Sequence, residues 1–229
     1  ITQHVPVMSL IMSRLPATLL LTAMATVIAL VVAVPLAFLS ALTVNRWPDQ
    51  LLRAVFQFGL SAPIFYIGLI LLTLFAAWLQ WFPVGGYGDD TLSILHHLFL
   101  PALTLALSFA AVIMRSLRAS ILSVLEADYI DLAVAKGLPW SLILRRHVFR
   151  NAGLATLTLV GMQVGQLLGG AVITETVFAV PGVGRLMIDS IFARDYPTVQ
   201  GLTLVLAVLV SLAFLVTDLV QMIVDPRVK

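Results

Sequence analysis

Long apolar runs separated by short polar segments dominate the pattern of this chain. A helix needs ~20 apolar residues to cross the hydrocarbon core of a bilayer. We therefore predict an all-α integral membrane protein, a single domain over residues 1–229, with five visible transmembrane helices. These predicted spans cover residues 15–44, 54–80, 98–118, 151–174 and 201–224.

The polar segments between the spans predict the loops. Residues 82–90 combine glycine, proline and aspartate, which are typical of an exposed loop, and His96 and His97 are expected to close that loop. Residues 119–150 form a charged segment, and residues 175–200 form a polar hairpin. Within the first span, Pro35 is expected to kink the helix, because proline cannot donate the helical hydrogen bond.

Composition supports a membrane protein and excludes several functions. Hydrophobic residues make up 61% of the chain and charged residues only 10%, against about 25% charged in a soluble domain. The chain has no cysteine, so neither a disulfide nor a thiolate metal site can form. Its net charge of +2 is small, and its basic residues do not cluster in one patch, which argues against a nucleic-acid partner.

The lysine and arginine residues predict the orientation of the chain. Short cytoplasmic loops carry an excess of these residues. One predicted side of the membrane holds ten of them, including those of the charged segment, and the other holds only Arg14, Arg185 and Arg194. The charged segment and the C-terminus are therefore expected to be cytoplasmic, and the hairpin is expected to face outward.

The charged segment predicts two helices that meet at Gly137. Apolar residues recur at helical spacing over residues 120–136, as Leu122, Leu125, Tyr129 and Leu132. Lys136, Gly137 and Pro139 are stop signals for that helix, and a second helix is expected from Pro139. Such a bent pair could insert into a groove on a partner protein. It could equally lie in the headgroup layer with its basic side chains on phosphate.

Several motifs resemble one family. The charged segment contains DLAVAKG (131–137) and RRHVFRN (145–151), and the hairpin reads ETVFAVPGVGRLMIDSIFARDYPTVQG (175–201). RLPATL (14–19) and VDPR (224–227) complete the pattern. These motifs resemble binding-protein-dependent ABC importer permeases of the dipeptide, oligopeptide and nickel branch. The first of them is similar to the cytoplasmic EAA loop of that family.

The resemblance implies a type I ABC importer transmembrane domain in a bacterial inner membrane. It implies six spans in the full chain, the first of them upstream of Ile1. It also implies a second permease, usually a paralogue, two cytoplasmic ATPases that bind ATP and Mg²⁺, and an external substrate-binding protein. The chain itself would then be neither an enzyme nor a cofactor-binding protein.

The resemblance also implies which residues act. The ATPase-coupling residues would be Asp128, Tyr129, Asp131, Ala133, Ala135, Lys136, Gly137, Leu138 and Pro139, where Gly137 permits the bend and the two alanines allow close docking. The outward hairpin is marked by Pro181, Gly182, Gly184, Arg185, Arg194, Asp195 and Tyr196. Its charged residues Arg185, Asp189, Arg194 and Asp195 would meet the binding protein or the second permease.

The fourth span carries two further patterns. Gly161, Gly165 and Gly169 recur every four residues, which lets another helix approach closely, either within this chain or in a second permease. Gln163 and Gln166 lie off that stripe. Polar side chains at this depth face a bundle interior or a wet cavity, so they are candidates for the translocation path or for structural hydrogen bonds.

Two groups of ionisable residues call for partners. Asp218 lies within the fifth span, and Arg115 or Arg118 is expected to pair with it. Asp89, Asp90, His96 and His97 lie close in sequence. Adjacent histidines do not easily ligate one ion, however, so no metal site is predicted there.

Other classes of function lack their motifs. The chain has no H-E-x-x-H zinc motif and no G-x-x-x-x-G-K-[ST] phosphate loop. A secondary transporter usually shows internal repeats and several buried ionisable groups, which we do not find. A secondary transporter or a channel, with a helix lying in the headgroups, remains the alternative to the importer. The substrate stays open among dipeptides, longer peptides, nickel and glutathione-like compounds.

Overall fold

The computed structural model describes residues 6–224, with the backbone alone described at residues 155, 168, 170 and 224. All regular structure in this range is helical. The helices are α1 (Val7–Leu42), α2 (Trp47–Ser61), α3 (Ile64–Leu71), α4 (Thr91–Leu125), α5 (Asp128–Ala135), α6 (Trp140–Leu142), α7 (Phe149–Val177), α8 (Val183–Phe192) and α9 (Tyr196–Val224). Two π-helical turns, Leu72–Trp78 and Ile143–Val148, continue α3 and α6.

Helix α4 is the centre of the bundle. It packs against α1, α2, α3 and α7, and 67% of its most apolar window is buried. Helix α1 lies along it through a stripe of small residues, Ala25, Ala29, Ala33 and Ala37, each 0% exposed. Small side chains at a four-residue spacing let two helix backbones approach closely.

The bundle has two ends. The loop 82–90 and helix α8 lie at one, which we call the hairpin end, and a backbone hydrogen bond from Gly86 N to Phe178 O (3.1 Å) joins them. The segment 126–148 lies at the other, which we call the charged end. Helix α1 runs from the hairpin end to the charged end, and α4 runs in the same direction, from the loop to the charged segment.

Among the described residues, α1, α4 and α9 are long and apolar enough to cross a membrane. Two bent pairs raise the number to five if each pair forms one span. One is α2 with α3, and the other consists of residues 156–167 and 171–177 within α7. A helix or a bent helix pair thus lies on each predicted span, although the boundaries differ.

The second predicted span is a broken helix. Helices α2 and α3 meet at an angle of 108°. Ala62 is extended (φ −78°, ψ 134°) because it precedes Pro63, whose ring disfavours helical geometry in the preceding residue. The proline therefore redirects the chain here.

At two predicted boundaries the helices extend further than the apolar runs. Helix α4 begins at Thr91, where the Asp90 side chain accepts a hydrogen bond from Ser93 N (3.1 Å), so His96 and His97 lie in its first turns. Helix α7 continues to Val177, which places Glu175 in a helix rather than in the hairpin.

The charged segment also differs from the expectation of one helix over residues 120–136. Helix α4 ends at Leu125, Ala127 is extended, and α5 begins at Asp128. Asp128 and Asp131 lie in the first turn of α5, where acidic groups are favoured by the helix dipole. The result is a short separate helix before Gly137.

Candidate functional site

A cleft of 310 Å³ opens where α2 breaks from α3. Its apolar walls come from both sides of the break and from α4, and its polar lining consists of Ser108, Gln163 and Gln166. The two glutamines predicted for the translocation path thus share one cleft. Irregular backbone at membrane depth is tolerated where it lines a cavity or is buried in protein, and the break at Ala62 lines this cleft.

Ser108 was not anticipated from the sequence. Its Oγ is buried and has no hydrogen-bond partner among the described residues. A buried hydroxyl without a partner loses its interaction with water, so this group can accept a hydrogen bond from water or from a bound molecule. The cleft therefore offers one hydroxyl and two carboxamides and, within the described lining, no charged group.

The ring of Phe178 lies one helical turn from the cleft, on the side of the hairpin end. A Cβ added to Gly68 would lie 3.2 Å from the Phe178 ring and 3.3 Å from the Thr104 methyl group. Gly68 and Thr104 lie four residues, one helical turn, beyond the cleft residues Ile64 and Ser108. The ring of Phe178, which is 1% exposed, therefore fills the layer next to the cleft.

Two of the three glycines in the predicted stripe pack against α9. A Cβ on Gly161 would overlap Thr217, and one on Gly165 would lie 3.2 Å from the Phe214 ring. No described side chain lies within 4 Å of a Cβ placed on Gly169. At the first two positions the close approach is therefore made by a helix of the same chain.

The predicted coupling residues surround an exposed turn. Gly137 has a φ of +73°, a left-handed conformation that glycine adopts without strain, and it follows Lys136, the C-cap residue of α5. Leu138 N donates to Ala133 O (3.2 Å) and closes the turn. Among the named residues, Leu138 is half-buried and Ala133 is buried, whereas the remainder are exposed: Asp128, Tyr129, Asp131, Ala135, Lys136, Gly137 and Pro139.

Helix α5 turns a different face to the core than the sequence pattern indicated. Ile130 and Ala133 are buried, whereas Tyr129 is 43% and Leu132 is 56% exposed. Ala133 is therefore used in packing within this chain and cannot offer its side chain for docking. The Tyr129 hydroxyl accepts a hydrogen bond from Asn151 Nδ2 (3.3 Å), which holds α5 against α7.

A buried ion pair that the sequence analysis missed lies near the charged end. Arg118 on α4 donates from Nε to Asp49 Oδ1 (2.9 Å) and from Nη2 to Asp49 Oδ2 (3.0 Å). Nε also lies 2.9 Å from Ser40 Oγ, and Asn45 N donates to Asp49 Oδ2 (2.9 Å). Asp49 is 0% exposed. The network ties α1, α2 and α4 together.

The expected pairing of Arg118 with Asp218 was therefore wrong. The guanidinium group of Arg118 instead donates two hydrogen bonds to the carboxylate of Asp49. Arg115 and Asp218 are both exposed, and no ion pair joins them among the described residues.

A second buried carboxylate, Glu175, holds the hairpin. It is 0% exposed and accepts hydrogen bonds from Thr18 Oγ1 and from Arg185 N (3.0 Å). Val183 N in turn donates to Thr18 Oγ1 (2.9 Å). The carboxylate thus lies at the N-terminus of α8, where backbone N–H groups and the helix dipole favour an anion.

The glycines of the hairpin make room for this carboxylate. A Cβ on Gly182 would overlap the Glu175 carboxyl group, and one on Gly184 would lie 2.6 Å from Val172 Cα. The order E175 to P-G-V-G could have indicated such a close approach in the sequence. Pro181, which precedes Gly182 in the chain, is half-buried.

The charged hairpin residues are partly used within the chain. Arg185 Nη1 donates to Ala179 O (2.8 Å). Asp195 caps α9 by accepting from Thr198 Oγ1 (2.9 Å) and Thr198 N (3.4 Å). Arg194 and Tyr196 are exposed and, of the predicted hairpin set, they are the side chains most open to a partner.

His96 and His97, at the start of α4, make hydrogen bonds with different backbone carbonyl groups. His96 Nε2 lies 2.9 Å from Trp81 O, and His97 Nδ1 lies 2.8 Å from Ser93 O. Asp90 caps α4. Within residues 6–224, no three histidine or acidic side chains are grouped as metal ligands.

Comparison with known proteins identifies the family. Residues 33–229 match the family model described as "Binding-protein-dependent transport system inner membrane component". The oligopeptide transport system permease protein AppB of Bacillus subtilis is 39% identical over 231 residues, 98% of this chain and 72% of the relative. The probable D,D-dipeptide transport system permease protein DdpB of Escherichia coli is 38% identical over 247 residues, covering 97% of this chain and 73% of that protein.

The fold has also been seen experimentally. An inward-facing structure of the MetNI methionine ABC transporter superposes with a TM-score of 0.82, covering 97% of this chain and 100% of that chain at 16% identity. The predicted type I importer fold is thereby confirmed. The chain belongs to the binding-protein-dependent transport system inner membrane component family and is a permease subunit of an ABC importer.

Proposed function

We propose that this permease subunit imports peptides and that they pass along the cleft lined by Ser108, Gln163 and Gln166. The observation that carries the proposal is the uncharged polar lining of that cleft, with its unpartnered Ser108 hydroxyl. Peptide bonds offer N–H and C=O groups that hydroxyl and carboxamide groups can pair with. Relatives named for oligopeptide and D,D-dipeptide transport support peptides as the substrate class.

The proposed assembly places the charged end in the cytoplasm, together with the C-terminus, and the hairpin end outside. Two ATPases bind the segment 128–139 and hydrolyse ATP, a second permease completes the path, and a binding protein delivers peptide at the hairpin. The plasma membrane of a bacterium is the proposed location. Closure of the ATPases would rotate the helices as rigid bodies and alternate access to the cleft.

Exposed apolar side chains support a protein partner at the charged end. Leu132, Val134 and Trp140 are 56%, 52% and 49% exposed, and they flank the turn at Gly137. A cluster of exposed apolar side chains marks an interaction surface. Leu132 and Val134 belong to α5 and Trp140 begins α6, so a groove on the ATPase would take both sides of the bend.

Cysteine crosslinking tests whether peptide passes the cleft. The chain has no cysteine, so a single introduced cysteine is the one site in this chain that a thiol reagent can label. A thiol-reactive peptide should crosslink to Gln166→Cys and be displaced by unlabelled peptide. The matched control is Met162→Cys, which is also exposed on α7 but lies outside the cleft lining. Equal labelling at both positions, undiminished by competing peptide, would contradict the proposed path.

Crosslinking tests the coupling segment. In the assembled importer, Lys136→Cys and Gly137→Cys should crosslink to cysteines on the ATPase, and the yield should change when ATP binds. Labelling by a thiol-reactive lipid headgroup, without a crosslink to the ATPase, would instead indicate a helix lying in the headgroups.

A substitution at the bend separates insertion from coupling. Within residues 6–224, no described group lies within 4 Å of a Cβ at Gly137. Gly137→Asp should therefore cost only the ~1–2 kcal/mol of a left-handed non-glycine residue. The variant should insert and assemble, yet hydrolyse ATP without importing peptide. Normal uptake by this variant would refute the coupling role.

A further inference from the structure

Helix α1 carries a buried hydroxyl group near each of its ends, and each belongs to one of the two buried polar networks. Thr18 and Ser40 are both 0% exposed. A hydroxyl that lies within an apolar bundle needs a hydrogen-bond partner. Each of these two finds its partner on another helix.

At the hairpin end, Thr18 bridges α1 to α7 and α8. Its Oγ1 donates to the carboxylate of Glu175 and accepts from Val183 N (2.9 Å). Val183 is the first residue of α8. The position of the hairpin is therefore set by α1 as well as by its own connection to α7.

At the charged end, Ser40 bridges α1 to α2 and α4. Its Oγ donates to Asp49 Oδ1 and accepts from Arg118 Nε (2.9 Å). Arg118 lies seven residues before the end of α4 at Leu125, which leads directly into α5. The position of the coupling segment is therefore linked to the same helix.

The two hydroxyls are separated by the thickness of a membrane. Thr18 and Ser40 are 22 residues apart, or ~33 Å along a helix at 1.5 Å per residue, and the hydrocarbon core is ~30 Å thick. Between them, the alanine stripe fixes α1 against α4. Closely packed interiors have few voids and transmit displacement rather than absorb it.

We infer that α1 is a strut that transmits binding-protein docking at the hairpin to the coupling segment, with Thr18 and Ser40 as its positioning residues. This inference rests on the proposed function, since it requires the binding protein at one end and the ATPases at the other. Coupling between two sites is reciprocal. If docking of the binding protein changes the affinity of the ATPases for nucleotide by some factor, nucleotide binding changes the affinity of the hairpin for the binding protein by the same factor.

The test uses the complete importer in lipid nanodiscs and measures ATP hydrolysis with and without peptide-loaded binding protein. The readout is the ratio of the two rates. Thr18→Val and Ser40→Ala should each lower this ratio about fivefold or more, the range of a typical coupling between sites. Thr18→Ser and Ser40→Thr keep the hydroxyl and should restore it.

Thr26→Val is the matched control. Thr26 lies on the same helix, but its hydroxyl donates to Thr22 O within α1 (2.8 Å), so the ratio should stay at the level of the unmodified importer. In the double variant with both Thr18→Val and Ser40→Ala, the ratio should fall no further than in either single variant. Both substitutions interrupt the same connection through α1, so the second has nothing further to interrupt.

Three outcomes would overturn the strut: an unchanged ratio in Thr18→Val, an equal loss in Thr26→Val, or losses that multiply in the double variant. An unmodified importer whose ATPase does not respond to the binding protein would contradict the proposed function instead. The two failures are therefore distinguishable.

Discussion

Replacing Asp49 with asparagine tests how much the buried ion pair stabilises the bundle. Asparagine keeps the shape of the side chain and removes its charge, so Arg118 would be left without a counter-ion. The Arg118 side chain is only 16% exposed, and removing one partner of such a buried pair costs about 3–5 kcal/mol. We expect Asp49→Asn to lower the free energy of unfolding by that amount.

Arg53 supplies the matched control. It contacts the same carboxylate at 3.5 Å, but its side chain is 49% exposed. Exposed pairs contribute about 0–1 kcal/mol, so Arg53→Ala should change the free energy of unfolding little. Both variants would be unfolded with sodium dodecyl sulfate in mixed micelles and followed by circular dichroism.

A double variant then separates the pair from its surroundings. Arg118→Met combined with Asp49→Asn removes both charges, and it should be less destabilised than the sum of the single variants by about 0.5–3 kcal/mol. Full recovery is not expected, since Asn45 N and Ser40 also bond to the carboxylate. A loss in Asp49→Asn no larger than that in Arg53→Ala, or strict additivity, would refute the reasoning.

Two further predictions concern close packing. Gly161→Ala should lower the free energy of unfolding by about 1–3 kcal/mol, since its methyl group would overlap Thr217. Gly169→Ala should not lower it, because no described group lies within 4 Å of a Cβ there; equal effects would contradict the packing of α7 on α9. Phe178→Ala should open the cleft, so that Ser108→Cys reacts faster with an impermeant thiol reagent added at the hairpin end; an unchanged rate would show that the ring does not close it.

The sequence pattern located the helices well because membrane solvation acts on every residue of a span. An uncharged run of ~20 residues has few alternatives to a helix in lipid. The break before Pro63 was less readable, because proline is tolerated inside many spans. Whether it kinks or redirects the helix depends on the neighbours that pack around it.

The buried polar networks could not be predicted from the sequence. Glu175 and Asp49 stand at the borders of apolar runs, where solvated acids are common. Their partners, Thr18 and Arg118, are 157 and 69 residues away in the chain. For Asp218, the prediction offered Arg115 or Arg118 as the partner, but Arg118 pairs with Asp49. Spacing along the sequence does not show which of two acids an arginine binds.

The polar cleft was predicted in part. Gln163 and Gln166 could be identified as candidates because amide side chains are rare in an apolar run. Ser108 could not be identified in the same way, because serine is common in transmembrane helices. The packing around α4 buries the Ser108 hydroxyl and leaves it without a hydrogen-bond partner among residues 6–224 as described.

The contrast between α4 and α9 bears on how the protein enters its membrane. Helix α9 is more apolar than α4, yet only 6% of its most apolar window is buried in the chain, against 67% for α4. Most apolar residues of this window therefore face lipid or another subunit, and the helix can partition into the bilayer on its own. Helix α4 carries two arginines near its end and is enclosed by four neighbours, so its stable residence depends on their assembly around it during synthesis.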